Sequence, residues 1–301
     1  MISEYALEPV LLNNWKDFRY LVEKFGVSEG RLIARYPKHW KRLVYESLKD
    51  CSVMDKKRIV EMLITIEDRM KRRKSEWDKH LQWLENAEAE DKSRPFRAII
   101  AKENPRGSLH VLELESLSEA NPQWKSVRCR IIKRSADEIR SSAATLVEIS
   151  NKVLIIDPYF SPDKIECRRP IAAIMESGMI RDGGEKIFEV HLKDRDNAIS
   201  PDLLKKSCDT KLAPIIPMGM RLRVLLWREK ENGEKLHNRY ILTERGGIRF
   251  GAGISEDSSH TDEVELMDDL SARDRFDKYS LGEPAFIPMA DFEILGRKNK
   301  S

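Results

Sequence analysis

Cysteine is scarce and unpatterned in this chain of 301 residues. The four thiols, Cys51, Cys129, Cys167 and Cys208, are widely spaced and form no C-x-x-C pair. That excludes a disulfide framework and a structural zinc site, and suits the reduced thiols of a cytoplasmic protein. No uncharged apolar run approaches the roughly 18 residues that a membrane span needs. The N-terminus lacks the basic region and apolar core of a secretory signal, so a soluble protein is expected. Net charge is almost missing as well: 54 Lys and Arg stand against 51 Asp and Glu, leaving +3 in a chain of which 35% is charged. A global polycation for coating nucleic acid is excluded, and any anion site must be local. Repeats and low-complexity tracts are absent. The acidic stretch from Glu256 to Asp269 has no ligand spacing such as an EF-hand loop, so neither a metal nor a cofactor is expected.

What is present divides the chain in two. Residues 1–92 read as a helical domain. Asn13 or Asn14 can cap a helix with Trp15, Phe18, Leu21, Val22 and Phe25 on one face, and Trp40, Leu43, Val44 and Leu48 make a second stripe. From Met54 to Ala89 the apolar positions Ile59, Leu63, Ile66, Met70, Trp77, Leu81 and Leu84 keep a three-four spacing. They predict one long helix of about 50 Å that serves a small bundle, a partner or oligomerisation. The basic run Arg69 to Lys74 is either a nucleic-acid contact or a solvated helix face paired with the acids that flank it. Glu85 to Arg94 reads as the linker, ended by Pro95.

From residue 95 to 301 helices and strands alternate, which predicts an α/β domain with a mixed sheet covered by helices. Phe96–Ile100 and Ser108–Leu117 read as strands joined through the turn Asn104–Gly107. Ser135–Ser150 reads as a helix feeding a buried strand at Lys152, which closes at Asp157-Pro158. Strands follow at Ile187–Leu192 and Arg221–Trp227. The stretch KLHNRYILTERGGIRFGAGI, residues 235–254, reads as strand, tight turn, strand, with Arg245-Gly246-Gly247 at the turn. A period of two would place His237 and Arg239 on one face. An imidazole beside a permanent cation suits work on a phosphate, the cation holding the anion while the imidazole attacks phosphorus or moves a proton.

The register His237-x-Arg239-x4-Glu244-x6-Gly251-Ala252-x-Ile254 resembles the phospholipase D superfamily signature H-x-K-x4-D-x6-G-S-x-N. Arg, Glu, Ala and Ile stand where the signature has Lys, Asp, Ser and Asn. The likeness runs from about Phe96 onward. It is nearest to divergent single-motif members, including those similar to the C-terminal domain of MIT-containing proteins. It implies a phospholipase D-like sheet and metal-independent phosphodiester cleavage, as in nuclease-type effectors of prokaryotic defence or conflict systems. His237 would be nucleophile or general acid, Arg239 the phosphate clamp and Glu244 the group that orients the imidazole. Gly251 and Ala252 would line the phosphate, with Asp157 and Tyr159 supporting. A covalent route needs a second imidazole, supplied by a homodimer or by His191 or His260. Two rivals stay open. One is a degenerate module that binds nucleic acid, phosphate or a protein. The other is an adaptor whose N-terminal helices join a larger defence complex.

Overall fold

The computed structural model describes residues 1–179, 186–195, 200–279 and 284–297. It is mixed α/β, built on two sheets. The chain separates into two compact units, Ile2–Arg128 and Cys129–Ser301. The division therefore falls beyond the acidic stretch at 85–94, which is mostly helix.

The first unit is not helical but a parallel α/β layer. Its strands are β1 (Ser3–Leu7), β2 (Arg31–Arg35), β3 (Met70–Arg72), β4 (Ala98–Ile100) and β5 (Val111–Leu112), in the order β3-β2-β1-β4-β5, and every pairing is parallel. Its helices are α1 (Trp15–Glu23), α2 (Trp40–Ser47), α3 (Val53–Thr65) and α4 (Trp83–Ser93). Parallel strands are covered on both faces, so Tyr5-Ala6-Leu7 and Leu32-Ile33-Ala34 are short continuous apolar runs without alternation. Such runs cannot be told from pieces of a buried helix by periodicity. Phe18, Leu21, Val22, Trp40, Val44, Ile59 and Leu63 pack on Tyr5, Leu7, Ile33 and Ile100 in one core layer. The Trp40 indole donates to the Leu7 carbonyl at 2.6 Å.

The single helix expected from Met54 to Ala89 is broken. α3 stops at Thr65, a 3-10 turn covers Ile66–Arg69, and Met70 then pairs with Ile33 in β3. Burial of Met70 at the sheet overrides the helical spacing it shares with Ile66. The basic run lies on this edge strand rather than on a helix face, where charge also guards an open edge. Arg73 turns inward: its guanidinium is buried, donates to Glu90 at 2.8 Å and Glu4 at 3.3 Å, and stacks on Phe96.

The second unit contains β6 (Cys129–Arg134), α5 (Ala136–Ile149), β7 (Lys152–Ile156), α6 (Ile165–Ser177), β8 (Ile187–Lys193), α7 (Pro201–Ser207) and β9 (Arg221–Arg228). It continues with β10 (Arg239–Thr243), β11 (Gly246–Phe250), β12 (Asp257–Leu266), α8 (Asp269–Lys278) and β13 (Ile287–Leu295). The sheet order is β13-β9-β8-β7-β10-β11-β12-β6. β7, β8 and β9 are parallel, and the other neighbours are antiparallel. Leu154, Ile156, Leu225, Tyr240 and Leu242 form a core layer with Tyr279 and Phe286, while the alternate residues Val153 and Ile155 are also fully buried. The β10–β11 turn is Glu244-Arg245, closed by the pair Thr243 and Gly246, one residue earlier than the sequence suggests. Gly247 is needed for a close approach instead, since a Cβ there would lie 2.8 Å from the Leu242 side chain and 2.9 Å from the Met267 sulfur.

Candidate active site

One end of the second sheet gathers most of the expected residues. β7 ends at Ile156, paired with Tyr240, so Asp157 leaves the sheet where Arg239 enters it. His237 sits two residues earlier, outside the regular strand and exposed. Its ring has no hydrogen-bond partner among the described residues. The segment carrying it is nonetheless pinned. Leu236 is buried in the core, and its amide donates to Glu229 Oε1 at 2.7 Å. Glu229 follows β9 and also accepts from Lys193 Nζ at 2.6 Å and Lys235 Nζ at 3.2 Å. Desolvation opposes ionisation of Glu229, but the bonds from Lys193, the Leu236 amide and Lys235 outweigh it and pull the carboxyl down to about 2. A carboxylate that sequence reasoning passed over therefore fixes the backbone in front of His237.

Arg239 lays its guanidinium 4.7 Å from the centre of the Tyr159 ring. Arg195, just past the end of β8, lies 5.3 Å from the same ring. The two are brought together because β7–β8 pairing continues beyond the strands, Asp157 donating to the His191 carbonyl at 3.1 Å and Lys193 to the Pro158 carbonyl at 3.4 Å. Among the described residues neither guanidinium makes an ion pair or hydrogen bond, and the buried Nε of Arg239 has no acceptor. Cation–π attraction holds the planes while the N–H edges stay open.

Asp157 is buried and accepts from the amides of Tyr159 and Ile254, both at 3.0 Å. Burial pushes its carboxyl up, against those two amides and the charges of Arg239 and Arg134. Asp262, also buried, accepts from the Ala252 amide at 2.7 Å through Oδ1, and among the described residues its Oδ2 has no partner. Gly251 accommodates it, since a Cβ there would lie 2.9 Å from that Oδ1. The Gly251 amide is used by the Glu263 carbonyl at 3.2 Å. Neither Gly251 nor Ala252 therefore offers a free amide to a phosphate, contrary to expectation.

Glu244 is the plainest correction. It stands at the far end of β10, roughly 16 Å along the strand from Arg239. There its carboxylate caps the start of β7 by accepting from the Asn151 amide at 2.6 Å and the Lys152 amide at 3.1 Å. The five residues of extended strand from Arg239 carry it away from His237. His191 is also removed from the site. It is fully buried, stacked on Trp227, and its Nδ1 accepts from the Trp227 indole at 2.8 Å while Nε2 faces Glu189 at 3.3 Å. Burial lowers its proton affinity, against Glu189, and keeps it a core group. His260 is exposed at the site end of β12.

Among the described residues no group of three or more His, Cys, Asp or Glu side chains is arranged to hold a metal ion, and no helix is long and apolar enough to cross a membrane. Sequence reasoning missed Arg195, Arg134, Glu229 and Asp262, whose signal is only their position just past or near strand ends.

No family model matches the chain, and no curated protein matches it. Among solved structures, the chain is similar to TrmBL2, an archaeal chromatin protein described as showing a novel mode of DNA binding. The identity is 12% and the TM-score 0.26, over 52% of this chain and 53% of that one. The chain thus spans about half the length of that protein.

Proposed function

We propose that the second unit is a metal-independent phosphodiesterase of phospholipase D-like type, a nuclease-type effector acting on nucleic acid. The observation that carries the reading is Arg239. Its guanidinium is held against Tyr159 with a buried, unpartnered Nε, beside a second open guanidinium at Arg195 and an exposed, backbone-pinned His237. Buried polar groups are ordinarily satisfied by the fold, so N–H edges left open at a sheet end fit an anionic ligand. Arg239 and Arg195 bind the non-bridging oxygens of a phosphodiester and stabilise the charge that grows on them. His237 attacks phosphorus from its fixed segment. The reading also fits the placement of Asp157 beside the motif-bearing hairpin.

The test is hydrolysis of single- and double-stranded nucleic acid and of a small phosphodiester, with chelator present. Activity is expected in the wild type and absent in His237→Ala, with the fold unchanged by circular dichroism. Activity that survives His237→Ala, or that disappears with chelator, sinks the mechanism.

One observation favours a second reading, a degenerate module that binds without turnover. Ala252 and Ile254 supply no polar side chain, and their amides are held by Asp262 and Asp157. Tight oligonucleotide binding that depends on Arg239, with no cleavage from any assembled form, would establish that reading in place of the enzyme.

A further inference from the structure

A nucleic acid offers a protein both phosphate oxygens and base faces, and a guanidinium can meet both. Its N–H edge takes the oxygen and its plane takes the base. The site end of the second sheet holds such a plane. β7 lies between β8 and β10 in the sheet, and Tyr159 follows the end of β7. Arg195 comes to the Tyr159 ring from the β8 side and lies 5.3 Å from its centre, while Arg239 comes from the β10 side at 4.7 Å. One ring thus carries a cation from each neighbouring strand. The layers differ in access. Arg239 is half-buried with its Nε enclosed, Tyr159 is 46% exposed, and Arg195 is exposed. Among the described residues Tyr159 is the only ring that Arg195 lies over. The inner face of that guanidinium is occupied, and its outer face is turned to solvent.

The stack is fixed from the backbone on both sides. The Tyr159 amide donates to Asp157 Oδ1 at 3.0 Å, and the next residue, Phe160, is buried and donates its amide to the Asp157 carbonyl at 3.1 Å. Beside it, the Asp194 amide donates to the Trp227 carbonyl at 2.7 Å. The Asp194 carboxylate is taken by Arg228, which donates to Oδ2 at 2.6 and 2.9 Å, so Arg195 does not spend its N–H edge on its neighbour. A guanidinium already stacked on one face loses little freedom when a second ring closes on the other. Bases inside a duplex have both faces covered by their neighbours, so an unpaired, unstacked base is the kind that reaches this plane.

We propose that Arg195, backed by Tyr159, is a base-stacking platform, and that the site therefore takes single-stranded nucleic acid in preference to duplex. The proposal rests on the reading above in one respect, that the ligand of this sheet end is nucleic acid. The N–H edges of Arg195 and Arg239 hold phosphate, and a base next to that phosphate lies on the outer face of Arg195. Every base has a π-face, so the platform selects for strandedness and not for sequence. The charge of Arg195 serves any phosphate, whereas its plane serves a base alone.

The experiment measures binding of the full chain, at one physiological ionic strength, to three labelled probes: a thymidine dodecamer, an abasic dodecamer with the same phosphates, and a duplex of the same length. The wild type is expected to bind the thymidine strand about tenfold more tightly than the abasic strand, and more tightly than the duplex. Arg195→Lys keeps the charge and loses the plane. It should bind the thymidine strand about tenfold more weakly than the wild type does, and the abasic strand within about twofold. Tyr159→Leu, which removes the backing ring and leaves Arg195, should shift the two affinities in the same direction. Equal wild-type affinity for the thymidine and abasic strands, a loss in Arg195→Lys that is the same on both, or tighter binding of the duplex overturns the platform. Absence of binding to all three probes overturns it too. Cleavage is read in the same samples. A thymidine strand that is bound with base preference but never cut sinks the phosphodiesterase reading and leaves the platform standing.

Discussion

The two units use the same device, a guanidinium laid on an aromatic ring, and finish it differently. In the first unit Arg31 lies 4.3 Å from the Trp124 ring and Arg73 lies 3.9 Å from the Phe96 ring. There the N–H edges are consumed: Arg31 by the Trp124 carbonyl and Glu119, Arg73 by Glu4, Glu90 and the Arg94 carbonyl. In the second unit Arg239 and Arg195 share Tyr159, but their edges meet no carboxylate oxygen among the described residues. A buried pair completed within the fold serves the fold. A stacked guanidinium with open edges is poised for something outside it.

The largest effect is expected at the residue beside the open pair. His237→Ala should lower phosphodiester hydrolysis by at least about 10³-fold, since no other imidazole stands at that position, while thermal unfolding is unchanged. Arg73→Met and Arg239→Met then test the two kinds of arginine against each other. The first should cost about 3–5 kcal/mol in urea unfolding, because Glu90 loses its buried partner and keeps only the more exposed Arg94 at 3.4 Å. The second should shift stability by less than about 1 kcal/mol yet weaken oligonucleotide binding several-fold. A large stability loss in Arg239→Met would place that residue with the structural arginines. Arg239→Lys should retain part of the activity, because charge survives while the forked geometry is lost.

Glu229→Gln should act through position alone, lowering kcat by about 10- to 100-fold with little change in KM. It has a second signature in pH. The folded carboxyl lies near 2, below its ordinary value of 4.5. The stabilisation it gives is therefore complete above about 4.5 and is lost as pH falls from there toward 2. Stability curves of wild type and Glu229→Gln should converge across that acid window, and parallel curves would contradict the assignment. The smallest expected effect is Arg195→Ala, which should raise KM several-fold and leave kcat nearly intact.

Much of the second unit could be read in advance. The runs at Lys152, Ile187 and Arg221 are apolar strands of ordinary length, and the hairpin announces itself by its alternation around Thr243 to Gly246. Asp157-Pro158 marks a strand end because proline cannot extend the ladder. The first unit hid its sheet, since three-residue strands such as Met70–Arg72 carry no period, and Met70 fits a helical stripe equally well. Linear spacing also misled at Glu244, where five residues of strand carry the side chain away from the histidine it was expected to orient. Arg195 and Glu229 were illegible for the opposite reason. They meet His237 and Arg239 only through strand pairing, which a single sequence does not display.

The central claim is that the fold leaves Arg195 and Arg239 open for an anion. Its most direct test is the salt dependence of binding of a short single-stranded oligonucleotide to the wild type and to the Arg195→Ala/Arg239→Ala double variant. Each phosphate contact on a single strand contributes about 0.7 to the slope of log affinity against log salt. The account predicts that the double variant binds at least about tenfold more weakly and that its slope is shallower by about 1.4. Equal affinity and equal slope in the two proteins would contradict it.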